Sequence, residues 1–192
     1  VNLNDFCLNY DNLSAFLDKN YETIACVFPT NVLGFTGNVL LLMDLCKKYK
    51  IPLKFDNCES SESMYFHNGW RNVSSEFTSS TSVYIAHIWN NGQEGGFIFT
   101  NNKEEYEYYL LARGHGLLRN LLSYSDLDKL GEHIENLHNK LVDIQFDFQV
   151  LSSNFRGTDV SAFCGIIDFQ KNKQNHKKRK YSGRKLCLMN KY

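Results

Sequence analysis

An α/β fold is the class this sequence predicts: a single domain over 1–192 with a central mixed, mostly antiparallel sheet flanked by helices. Three observations predict it. A β-branched apolar run, a helical pattern and a second short apolar run follow one another over residues 22–55, the order of a β-α-β unit. Asn90-Asn91-Gly92 separates two further extended runs, which is a hairpin signal. Asp143 to Val150 alternates, with Ile144, Phe146, Phe148 and Val150 on one side and Gln145, Asp147 and Gln149 on the other, the period of a half-buried strand.

Composition bounds the rest. Apolar residues make up 43% of the 192 and aromatics 14%, enough for a core. Formal net charge is zero, so the molecule as a whole has no field for gathering nucleic acid. The six cysteines form no C-x-x-C pair and fit no zinc spacing. They read as free thiols in a reducing compartment, and no metal is expected. With no apolar run of membrane-spanning length and no targeting segment, the expectation is the cytoplasm, or the host cytoplasm for a viral source, without a membrane partner.

Residues 5–19 set Leu13, Phe16 and Leu17 at helical spacing. Glu22 to Phe28 is a buried strand that Pro29 stops. Thr36 to Tyr49 is a helix, capped by Thr36 or Asn38, with Val39, Leu40, Met43 and Cys46 as its apolar face and lysines at its C-terminal end. Ile51 to Phe55 is the next strand. Residues 56–81 are serine-rich and carry no readable site. Val83 to Trp89, Gly95 to Thr100 and Glu105 to Leu111 then form a three-stranded antiparallel meander.

The meander ends in Arg113-Gly114-His115-Gly116, and a helix begins at Leu117. Amides left free at a helix N-terminus, helped by its dipole, suit a phosphate. Leu127, Leu130, Ile134, Leu137 and Leu141 continue at helical spacing behind a cap at Ser125. Thr158 to Cys164 reads as a short helix, Gly165 to Phe169 as a short strand, and Lys185 to Met189 as a last strand.

Arg113-Gly114-His115-Gly116-Leu117-Leu118-Arg119-Asn120-Leu121-Leu122 resembles the Arg-Gly-x-Gly-x-Gly-x-x-Leu-Leu turn of the GNAT superfamily of acyl-CoA-dependent acyltransferases. Asn154, Phe163 and Cys164, and the closing Asp168-Phe169, resemble that family's downstream segment. The resemblance covers 82–169 as a core and leaves 170–192 as a basic C-terminal segment. It implies an N-acyltransferase that moves an acetyl group from acetyl-CoA, or another acyl group from its acyl-CoA, to a small-molecule or protein amine. Arg113, Gly114, His115, Gly116, Leu117, Leu118 and Arg119 would hold the CoA pyrophosphate, the Leu111 N–H would polarise the thioester, and Asn154 would keep the strands splayed. Glu105 and Glu107 would serve as base, and Cys164 stands near the position of the family's tyrosine acid.

Two other readings come from the residues themselves. Cys58 at a strand end, with His87 on a later strand, is the pair a cysteine-centred hydrolase needs. The basic stretch 171–185 suits a non-enzymatic module that binds nucleic acid or protein.

Overall fold

The computed structural model describes residues 6–89, 94–122, 133–135 and 141–171. The chain divides into two units, one running to Phe99 and resuming at Thr158, the other Thr100–Gly157.

In the first unit, helix α1 (Tyr10–Asn20) starts where the Asn9 side chain accepts from the Asn12 N–H at 2.9 Å. Helix α2 (Val39–Tyr49) starts in the same way, Asn38 accepting from the Leu41 N–H at 3.1 Å. Of the two caps the sequence offers for α2, Asn38 is the one used. The buried face of α2 is Val39, Leu42, Leu45 and Cys46, a set at helical spacing. Leu40 and Met43, expected on that face, pack at its margin. Leu17, Val27, Leu45, Cys46 and Ile51 form one core, and Val39, Leu42, Phe55, Tyr65 and Val73 a second.

The β-α-β reading holds. Val27 pairs with Leu53, and Thr30 with Asp56, both in parallel. The ladder passes Pro29, whose carbonyl accepts from the Asp56 N–H at 3.0 Å. Strand β1 (Phe55–Asp56) leads to a hairpin, β2 (Met64–Phe66) with β3 (Trp70–Asn72), and to a one-turn helix, α3 (Val73–Glu76). Strand β4 (Ser79–Ser82) then pairs parallel to β1, and β5 (Gly96–Phe99) antiparallel to β4. The sheet is therefore mixed, parallel between β1 and β4 and antiparallel between β4 and β5.

The strand placed at Val83–Trp89 is corrected as well: the pairing run is Ser79–Ser82, and 83–89 is irregular. The Asn90-Asn91-Gly92 turn lies outside the described residues. Residues 159–171 are helical throughout, so the strand expected at Gly165–Phe169 is not formed.

In the second unit, Glu105–Leu111 is not a strand. It lies inside helix α4 (Lys103–Arg113), capped by Asn102 accepting from the Glu105 N–H at 3.1 Å. Beyond the glycine turn there is only a 3-10 segment, Leu118–Leu121. His133–Glu135 (β6) and Leu141–Asp143 (β7) pair antiparallel, where a helix was expected to run to residue 141. The alternating run from Asp143 becomes a 3-10 turn at Ile144–Phe146. Ser125 and the last strand near Lys185–Met189 lie outside the described residues, as does the basic stretch beyond Lys171.

Candidate functional site

The glycine turn is occupied by the protein itself. It follows the C-terminus of α4, where the helix dipole presents partial negative charge and disfavours an anion. Each amide from 114 to 118 already donates to a carbonyl. Gly114 and Gly116 N–H donate to Leu111 O at 3.1 and 2.8 Å, and His115 N–H to Ser153 O at 2.9 Å. Leu117 N–H donates to Gly114 O at 3.4 Å and Leu118 N–H to Asp147 O at 2.9 Å. Gly116 is glycine for packing: its φ is +77°, and a Cβ would stand 1.8 Å from the Val150 carbonyl oxygen. The Gly114 position is filled by the Asn120 side chain, which donates to Gly114 O at 2.7 Å.

The other expected site residues are equally engaged. Glu105 accepts from the Thr100 hydroxyl at 3.0 Å, and Glu107 pairs with Lys103 at 3.6 Å. Two apart on a helix, they point to different sides and do not share the face a strand would have given them. Leu111 lies within α4, next to its C-terminal residues Ala112 and Arg113. Arg113 O accepts from the Phe155 N–H at 2.7 Å, and Arg119 belongs to the 3-10 segment. The Asn154 side chain accepts from the Arg156 Nε at 3.0 Å. Cys164 sits half-buried on the 159–171 helix of the other unit.

A different place gathers polar groups: the C-terminal edge of the parallel strands, where open α/β sheets take their ligands. Asp56 is the last residue of β1, and Ser80 is its partner on β4. One Asp56 carboxylate oxygen accepts from the Cys58 N–H at 3.0 Å and from the Ser80 hydroxyl at 3.2 Å. Ser82, two residues on and hence on the same face, accepts from the Tyr84 N–H at 3.0 Å. The turn continues to His87, whose N–H donates to Tyr84 O at 2.9 Å and whose ring meets Tyr84 edge-on at 5.3 Å. His87 Nδ1 is buried and has no hydrogen-bond partner.

Beneath this edge lies a buried amide chain. Asn31 donates to Asn57 at 2.6 Å, and Asn57 donates to Ser74 at 2.8 Å. The Ser60 hydroxyl donates to Asn31 O and accepts from the Gly34 N–H at 2.8 Å. Hydrogen-bonded side chains at buried positions hold the strand ends in one arrangement. Beyond Cys58, sequence reading gave residues 56–81 no site because its only handle there was composition. Strand order is what brings Asp56 and Ser80 together.

The Cys58–His87 pair is not assembled as nucleophile and base. Burial first, then its hydrogen bond to Asp56, push the Cys58 thiol up, although Ser80 and the Ser82 N–H pull the other way. A thiol held protonated is a poor nucleophile. Its neighbour is the Ser80 hydroxyl at 3.7 Å, while His87 Nδ1 bonds nothing.

A model of the DegT/DnrJ/EryC1/StrS aminotransferase family matches residues 1–185. The chain is 29% identical over 181 residues to UDP-4-amino-4,6-dideoxy-N-acetyl-beta-L-altrosamine transaminase of Campylobacter jejuni, a match over 92% of this chain and 40% of that one. Among solved structures it is similar to E. coli GDP-4-keto-6-deoxy-D-mannose-3-dehydratase with bound hydrated PLP, with a TM-score of 0.73, 21% identity, and 96% and 44% of the two chains covered. It is also similar to Helicobacter pylori PseC, an aminotransferase involved in the biosynthesis of pseudoaminic acid, with a TM-score of 0.64, 17% identity, and 88% and 38% covered. The chain thus spans 40% of the length of the curated relative it matches.

These matches overturn the acyltransferase reading. The GNAT resemblance, acetyl-CoA as co-substrate and acyl transfer to an amine all fall, because the family match runs through the whole of 82–169. The hydrolase and nucleic-acid-module readings of the function fall with them. No described helix is long and apolar enough to cross a membrane.

Proposed function

Because the chain belongs to the DegT/DnrJ/EryC1/StrS aminotransferase family, we propose that it serves a pyridoxal-phosphate-dependent transamination or dehydration of a nucleotide-linked sugar. Support for the substrate class comes from the relatives, one a transaminase of a UDP-linked amino sugar and one a dehydratase of a GDP-linked keto sugar. The observation that carries the reading is Asp56, a half-buried carboxylate at the C-terminal end of a parallel strand pair in a mixed sheet, in a chain of this family.

The residues there fit part of the cofactor. A carboxylate only accepts, and it is the partner a protonated pyridine nitrogen requires. Asp56 is pre-aimed by the Cys58 N–H and the Ser80 hydroxyl, so it would need no reorganisation to accept a hydrogen bond from that N–H. Ser80 and Ser82 add hydroxyls on the same face for polar substituents. When bound, pyridoxal phosphate supplies an electron sink for the carbon beside the reacting amine. The chain's part would be to hold the ring through Asp56 and keep its nitrogen charged. Cys58, kept as a thiol, places no second negative charge beside Asp56. The amine that an imine link would need is missing from this set.

Titrating pyridoxal phosphate into the folded chain, followed by tryptophan fluorescence, tests the reading. Saturable binding is expected, weakened at least about tenfold by Asp56→Ala, since a hydrogen bond to a charged group is lost. Binding that Asp56→Ala leaves unchanged, or no binding by the folded wild type, would overturn it.

A further inference from the structure

The part of the site that does not fit is informative. A pyridoxal enzyme ordinarily joins its cofactor by an imine: a lysine Nζ attacks the aldehyde carbon, water leaves, and a C=N bond replaces C=O. In this sequence no lysine lies between Lys54 and Lys103. That interval contains Asp56, all of β4, the turn with His87, and β5. Lys47 and Lys48 close α2, which delivers the chain to the opposite end of the strands at Ile51.

Lys54 immediately precedes β1. It shares the Asp56 face but stands two residues nearer the start of the strand, where its N–H donates to Val27 O at 3.0 Å. On the cofactor ring the aldehyde carbon is para to the nitrogen. A ring that met Asp56 through its nitrogen would therefore carry the aldehyde on its far side from that carboxylate. Among the described residues, the turn past the strand ends offers His87, whose buried Nδ1 lacks a partner and which has no primary amine.

Resting on the cofactor class proposed above, we infer that this chain takes its pyridoxal-type cofactor as a dissociable ligand, with no imine bond to one of its own lysines. The aldehyde and amine forms then compete for the site as equals, in the manner of a co-substrate, because no covalent bond favours the aldehyde.

The 192-residue chain is incubated with pyridoxal phosphate, reduced with borohydride, denatured and mapped by mass spectrometry, beside a lysine-anchored enzyme as positive control. In parallel, pyridoxal phosphate and pyridoxamine phosphate are titrated by fluorescence into wild type and Asp56→Asn. The inference expects both forms to bind within about threefold of each other and to weaken together in Asp56→Asn. It also expects no stoichiometric pyridoxyl adduct, with any label spread thinly over surface lysines and indifferent to the substitution. One fully labelled lysine, Lys54 included, whose labelling Asp56→Asn abolishes, would overturn it. Binding of neither form by the folded chain would instead overturn the cofactor reading beneath it.

Discussion

Cys58 shows how much a single side chain's surroundings decide. The sequence marks it as a candidate nucleophile, since it follows a strand in a chain that also has histidines. Its neighbours settle the matter differently: burial and the Asp56 carboxylate both oppose a thiolate. The folded-state pKa is raised, so the stability linked to this thiol is fully present below the unfolded value of about 8.5 and is lost as pH rises through the folded value. Iodoacetamide at about pH 8.5 should therefore alkylate exposed Cys26 well before Cys58, as read by peptide mapping. Equal rates would contradict the arrangement of Asp56, Cys58 and Ser80. The sequence marks His87 as well, but only as a base for Cys58. Its significance lies in a ring nitrogen without a partner, which only three-dimensional packing can show.

At the scale of elements, the parts legible in the sequence are those where local and tertiary preferences agree. Helices α1 and α2, and the strand that follows α2, appear within a few residues of their expected positions. Asn38→Ala should cost about 1 kcal/mol by removing the acceptor for the Leu41 N–H, measurable as a lower urea midpoint at unchanged slope. An unchanged midpoint would mean that water caps α2 as well. The helix at Lys103–Arg113 was missed for a specific reason. Tyr106, Tyr108 and Tyr109 favour a strand, and that preference outweighed a helix-start signal also present, Asn102 with Glu105 three residues on. Once that helix was read as a strand, the turn after it looked like a helix beginning when it is a helix ending. The expected electrostatics thus had the wrong sign. The site at Asp56 was illegible for another reason: it depends on a parallel pairing of β1 with β4, more than twenty residues apart, which no local pattern encodes.

For the molecule as a whole, the sequence supports an α/β class and says little about which surfaces are covered. Phe97, Ile98 and Phe99 alternate as a strand should, yet all are exposed on β5, the last strand of its sheet. The division into units also bears on how the chain will respond to solvent. The glycine turn looks from its composition like the loosest place in Thr100–Gly157. Its amides are nevertheless tied across to 147–153 and back to Leu111. Amide exchange slows with the free energy needed to open a hydrogen bond, whatever the residue types nearby. In deuterium uptake, residues 114–118 should lag behind Phe155–Gly157 and keep pace with the middle of α4, and early uptake at the turn would contradict those bonds. A stretch that looks like a flexible loop would then behave as the clasp of its unit, among the last places to let solvent in.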